Sequence, residues 1–182
     1  MKWNLPNKLT VLRVILIPVF VTALMIRGGC DFRLRVVALA VFIIAALTDM
    51  LDGMIARKYH LITTFGKFMD PLADKLLVCA ALVCFVELKE LPAWIVIIII
   101  SREFIISGFR LIAAEKGNVI AAGWWGKCKT VSQMITTCLL ILNLEQLKVL
   151  TDVCIWIMVC LTIVSLLDYL VKNKSVLHER SL

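Results

Sequence analysis

Apolar runs about as long as a bilayer is thick leave a chain few folds to choose from. Hydrocarbon offers no water to a backbone N–H or C=O, so each run must close its hydrogen bonds as a helix or within a sealed barrel. Runs of roughly 20 residues fit helices; barrel strands are about half that length and alternate in polarity. Such runs recur along all 182 residues, of which 62% are hydrophobic and 18% charged. A soluble domain lies nearer half apolar. The expected fold is all-α, a polytopic membrane protein of six transmembrane helices around a cytoplasm-facing polar cavity. One domain over residues 1–182 is expected, with no linker.

The spans are expected at about Leu9–Ile26, Leu34–Lys58, Pro71–Val86, Ala93–Glu115, Lys129–Leu142 and Val149–Val171. Residues 1–8 read as a short interfacial segment, with Trp3 at headgroup level, and residues 173–182 as a cytoplasmic tail. Lys2 and Lys8 precede an apolar run, as in a signal peptide. Arg13 and Pro18 interrupt that run and no small-residue cleavage site follows, so a retained helix is expected. Pro71 is expected in a first helical turn, where its missing N–H costs nothing.

The formal charge of +7 does not point to nucleic acid, because the cations gather at span ends rather than in a patch with interleaved aromatics. Six spans put Lys2, Lys8, Arg57, Lys58, Lys67, Lys116, Lys127, Lys129, Lys172, Lys174 and Arg180 on one side. Arg27, Arg33, Arg35, Lys89 and Lys148 fall on the other. The richer side, with both termini, is expected to be cytoplasmic. The seven cysteines form no CxxC pair and lie mostly in apolar runs; they read as small buried side chains without a structural disulfide.

Against this apolar background one stretch stands out. Asp49-Met-Leu-Asp52-Gly53-Met-Ile-Ala56-Arg57 is followed, eight residues on, by Gly66-Lys-Phe-Met-Asp70-Pro-Leu-Ala-Asp74. Carboxylates beside apolar spans cost several kcal/mol unless compensated. On a helix Asp49, Asp52 and Ala56 share a face with Gly53 beside them, and Gly66, Asp70 and Asp74 form a second stripe. Two such helices face to face would gather four carboxylates. An unneutralised cluster would repel itself, so divalent cations are the expected remedy. Oxygen-only ligation suits hard ions such as Mg²⁺, Mn²⁺ or Ca²⁺, and four acids can bridge two of them. Gly53, Ala56 and Gly66 would let a substrate approach the helix backbone, and Arg57 suits a phosphate. Acids at helix ends are often solvated caps and small residues in spans often packing contacts. Those readings account for single residues here, not for the whole pattern.

The order D-x2-D-G-x2-A-R-x8-G-x3-D-x3-D resembles the signature of the CDP-alcohol phosphatidyltransferase family, matched at every fixed position. The resemblance implies an integral membrane enzyme that moves a phosphatidyl group from a CDP-linked lipid to an alcohol and releases CMP. It implies that Asp49, Asp52, Asp70 and Asp74 hold two divalent cations, Mg²⁺ or Mn²⁺, and that Asp74 also takes the acceptor's proton. It places Gly53, Ala56, Arg57 and Gly66 around CDP-diacylglycerol. Similar enzymes begin N-x2-T-x2-R near the nucleotide, which adds Asn7, Thr10 and Arg13.

Within the family, the chain resembles over nearly its whole length the bacterial members that use sn-glycerol 3-phosphate. The closest stretches are the N-terminal segment, Phe65–Leu77, and Ser101-Arg102-Glu103 through Gly126-Lys127-Cys128-Lys129-Thr130. Glycerol 3-phosphate is the acceptor this implies, with phosphatidylglycerophosphate as product in the bacterial inner membrane, and with a homodimer as the expected assembly. The residues add a surplus of cations, Arg102, Arg110, Lys127 and Lys129, suited to an acceptor phosphate. Lys127 and Lys129 lie about 200° apart on an ideal helix, so both reach one phosphate only if that helix end is irregular. Inositol phosphate or phosphatidylglycerol as acceptor stays open. So does a transporter, which also uses intramembrane charge.

Overall fold

The structure, a computed structural model, describes residues 5–58, 64–115 and 123–173, and side chains over 11–48, 75–113 and 123–173. The described backbone is helix and turn, without a strand. The helices are α1 (Leu5–Met25), α2 (Phe32–Lys58), α3 (Thr64–Glu87), α4 (Ala93–Glu115), α5 (Trp124–Leu142) and α6 (Lys148–Lys172). Single 3₁₀ turns, Ile26–Gly29 and Glu145–Leu147, precede α2 and α6.

The expected span over Ala93–Glu115 coincides with α4, and α2 and α6 lie within two residues of expectation at each end. Three helix starts fall earlier. α1 is described from Leu5, four residues ahead of the expected start. α3 begins at Thr64, so Pro71 stands inside the helix rather than in its first turn. The apolar stripe Phe65, Phe68, Met69, Leu72 keeps helical period through this stretch, and one missing donor does not break it. α5 begins at Trp124, ahead of Lys129, after Gly123 in extended conformation (φ −66°, ψ 160°).

The chain divides into two compact units, Met1–Leu91 and Pro92–Leu182. In the first, α1 packs on α2 and α3. Phe20, Leu24, Phe42, Leu82 and Phe85 fill its core, with the Phe20 and Phe42 rings 5.7 Å apart. Ala38, Ala45 and Ala81 are fully buried; such small residues let helix backbones approach. The chain reverses between α1 and α2 through Arg27, Gly28 and Gly29, at φ of 56°, 64° and 71°. The Arg35 Nε donates to the Gly29 carbonyl and its guanidinium pairs with Glu90. One side chain thus ties the α1–α2 turn to the segment after α3.

In the second unit α6 packs on both α4 and α5. Ile99, Ile141, Met158 and Val159 are buried there, and so are Thr136, Thr162 and Ser165. These hydroxyls donate to their own helices: Thr136 to the Ser132 carbonyl (2.8 Å), Thr162 to Met158 (2.7 Å) and Ser165 to Thr162 (3.0 Å). Returning the bond locally lets a polar group enter an apolar core.

Large apolar side chains stay exposed along the helices, among them Ile15, Val83, Ile97, Leu111, Val149 and Val171. Among the described residues, two stretches are long and apolar enough to cross a membrane, Val11–Gly29 and Glu145–Lys172, with mean hydropathies of 2.0 and 2.3.

Candidate active site

The two halves of the aspartate signature fall on two consecutive helices of the first unit. Asp49, Asp52, Gly53, Ala56 and Arg57 lie in the last turns of α2, and Gly66, Asp70 and Asp74 in the first turns of α3. Both stretches are α-helical, so the register that puts Asp49, Asp52 and Ala56 on one face, and Gly66, Asp70 and Asp74 on another, holds on this backbone. The side chains of all eight lie outside the described residues. Four carboxylates in these two registers are an all-oxygen donor set that fits a pair of hard divalent cations.

Asn7, Thr10 and Arg13 all lie on α1, three residues apart. The side chains of Asn7 and Thr10 are outside the described residues, whereas Arg13 is fully buried. A guanidinium taken wholly out of water needs compensating acceptors or charge. α1 packs against the two helices that carry the aspartates.

The cations expected at an acceptor phosphate lie in the second unit, and the structure separates them. Arg102 and Lys129 come together around Glu103. Arg102 Nη1 donates to Glu103 Oε1 at 3.1 Å, and the Lys129 ammonium pairs with the same oxygen. Arg102 Nε donates to Ser165 Oγ at 3.2 Å. Lys129 is 1% exposed and Arg102 7%. Arg110 lies on the exposed side of α4, within electrostatic reach of Arg102, and makes no ion pair among the described residues. Glu103 thus receives two buried cations, and Arg110 stands within electrostatic reach of one of them, Arg102.

Lys127 goes elsewhere. α5 is regular from Trp124, so Lys129, Gln133, Thr136, Thr137 and Leu140 form its buried stripe. Lys127 belongs to the opposite flank, in a cavity of about 460 Å³ lined also by Trp124, Val131, Ile135, Cys154 and Ile157. The irregular helix end that would bring Lys127 and Lys129 to one phosphate is not observed.

Glu103 and Ser165 hold the Arg102 guanidinium, and Tyr169 lies within electrostatic reach of it. Glu103 shares a face of α4 with Ser107 and Arg110 by its spacing. Ser165 and Tyr169 were not singled out. The signal was the polar recurrence Thr162, Ser165, Tyr169 at helical spacing inside an apolar run.

A family model for CDP-alcohol phosphatidyltransferase matches residues 3–164 and so extends across both units. The chain is 44% identical to a CDP-diacylglycerol–glycerol-3-phosphate 3-phosphatidyltransferase of Bacillus subtilis, covering 94% of this chain and 95% of that protein. It is 43% identical to the Haemophilus influenzae protein of the same name, over 93% of each. A Rickettsia bellii protein, again of that name, is 34% identical over 91% of this chain and 93% of its own length. Together with the unbroken aspartate signature on α2 and α3, these matches show that the chain belongs to the CDP-alcohol phosphatidyltransferase family.

Proposed function

We propose that this protein transfers the phosphatidyl group of CDP-diacylglycerol to sn-glycerol 3-phosphate, giving phosphatidylglycerophosphate and CMP. The observation that carries this reading is the near full-length identity to relatives named for that reaction. The gathering of Arg102 and Lys129 at Glu103, with Arg110 near Arg102, supports it, because a phosphate-bearing acceptor calls for cations that serine or a plain alcohol does not.

In this reading Asp49, Asp52, Asp70 and Asp74 hold two divalent cations, Mg²⁺ or Mn²⁺. Bound there, such ions supply charge neutralisation on the pyrophosphate and on the departing CMP. Asp74 also accepts the proton of the acceptor hydroxyl, which then attacks the β-phosphorus. Gly53, Ala56 and Gly66 leave room for the donor against the helix backbone. Arg57, with Asn7, Thr10 and Arg13, binds its polar part. Arg102, Arg110 and Lys129 attract the acceptor phosphate; Lys127, on the other flank of α5, is left out of that set.

The whole chain acts as one domain with six membrane spans, both termini and the polar cavity on the cytoplasmic side of a bacterial inner membrane. A homodimer is the proposed assembly. The test is an acceptor screen with purified protein, CDP-diacylglycerol and Mg²⁺ or Mn²⁺. CMP release is expected with glycerol 3-phosphate. Release with inositol phosphate, serine or phosphatidylglycerol instead would replace the acceptor, and no release with any of them would remove the enzymatic reading.

A further inference from the structure

The second unit contains a buried hydroxyl that its own fold leaves unused. Tyr169 is 6% exposed, and its phenol oxygen is buried with no hydrogen-bond partner. Its ring packs edge-on against Phe109, with centroids 6.1 Å apart and planes at 85°. That packing accounts for an aromatic ring and not for the oxygen. Phenylalanine would give the same contact without stripping a hydroxyl of water.

What lies around the ring indicates what the hydroxyl serves. Tyr169 follows Ser165 by one turn of α6. Helical side chains lean towards the N-terminal turn, which directs a ring at this position towards the turn that carries Ser165. Ser165 accepts from Arg102 Nε, and Arg102 is within electrostatic reach of Tyr169 and of Arg110. Glu103 is shared by Arg102 and Lys129. At Gly126 a Cβ would stand 3.4 Å from Arg102 Nη2, so the guanidinium lies close against α5. The Arg102 guanidinium brings several N–H donors to this place, and an oxyanion with several lone pairs suits them.

We infer that Tyr169 is an acceptor-binding residue whose phenol O–H donates to a phosphate oxygen of glycerol 3-phosphate beside Arg102. The inference rests on the function proposed above and deepens it. A neutral donor adds one directed bond to the phosphate without a further buried charge. An acceptor lacking the phosphate leaves the hydroxyl unsatisfied and is disfavoured.

The test compares wild type with Tyr169→Phe in the full-length protein. Turnover is measured against glycerol 3-phosphate at saturating CDP-diacylglycerol, with CDP-diacylglycerol binding and thermal unfolding measured in parallel. The KM for glycerol 3-phosphate is expected to rise about tenfold, with kcat and donor binding little changed and a melting temperature no lower than wild type. An unchanged acceptor KM beside normal wild-type turnover would overturn the inference alone. Weakened donor binding at unchanged acceptor KM would also overturn it, by moving the hydroxyl to the donor. A wild-type protein that releases no CMP with glycerol 3-phosphate would sink the proposed function and this inference with it.

Discussion

Glu103 shows how much one side chain can carry in an apolar setting. Its Oε1 receives both Arg102 and the ammonium of Lys129, itself almost wholly buried. Glu103→Gln keeps the shape and removes the charge. Breaking a buried pair by losing one partner costs about 3–5 kcal/mol, so a clear drop in melting temperature in detergent is expected; an unchanged melting temperature would mean the pair adds no stability. Arg110 is the contrasting case, because it is exposed and unpaired among the described residues. Arg110→Ala should leave stability nearly unchanged. It should lose a charge-assisted phosphate contact worth about 1.5–3 kcal/mol, roughly ten- to hundred-fold in kcat/KM for glycerol 3-phosphate. A changed affinity for CDP-diacylglycerol with an unchanged acceptor KM would instead put Arg110 at the nucleotide.

Among the elements, the reversal between α1 and α2 depends on Gly29. Its φ of 71° suits glycine, and a Cβ there would come within 2.9 Å of Leu88 Cδ2 and 3.0 Å of Arg35 Nη2. Gly29→Ala is therefore expected to cost at least about 1–2 kcal/mol from the left-handed backbone alone. It should also loosen the Arg35–Glu90 pair, readable as a lowered unfolding temperature without loss of the metal requirement. α2 and α3 carry the other element-scale prediction. Asp49→Asn, Asp52→Asn, Asp70→Asn and Asp74→Asn should each remove most turnover while leaving the helix content of the purified protein intact. Near-normal turnover in any two would dismiss the four-carboxylate site.

For the molecule as a whole, metal and topology are the properties to measure. Excess EDTA should abolish CMP release, and added Mg²⁺ or Mn²⁺ should restore it. Apparent metal affinity should fall as pH is lowered, because protons compete for the same carboxylates. Full turnover in EDTA would exclude a cation-dependent reaction. Cysteine labelling in membranes should place both termini on one side; labels from opposite sides would rule out six spans.

Helix existence and type were legible in the chain itself, because an apolar run in hydrocarbon has to satisfy its own backbone. The aspartate signature was legible for a similar reason: its spacing matches the helical repeat, so local periodicity alone puts Asp49 with Asp52 and Asp70 with Asp74. Helix starts were less so. Pro71 read as a start signal, yet the stripe from Phe65 to Leu72 carries the helix past it. The environment of the cations was not legible at all. Nothing local says that Lys129 turns inward to Glu103 while Lys127 lies on the outer flank. Nor does anything local say that Ser165, far along the chain, meets Arg102. Those outcomes depend on which face of α4, α5 and α6 is buried against which, and only tertiary packing decides that.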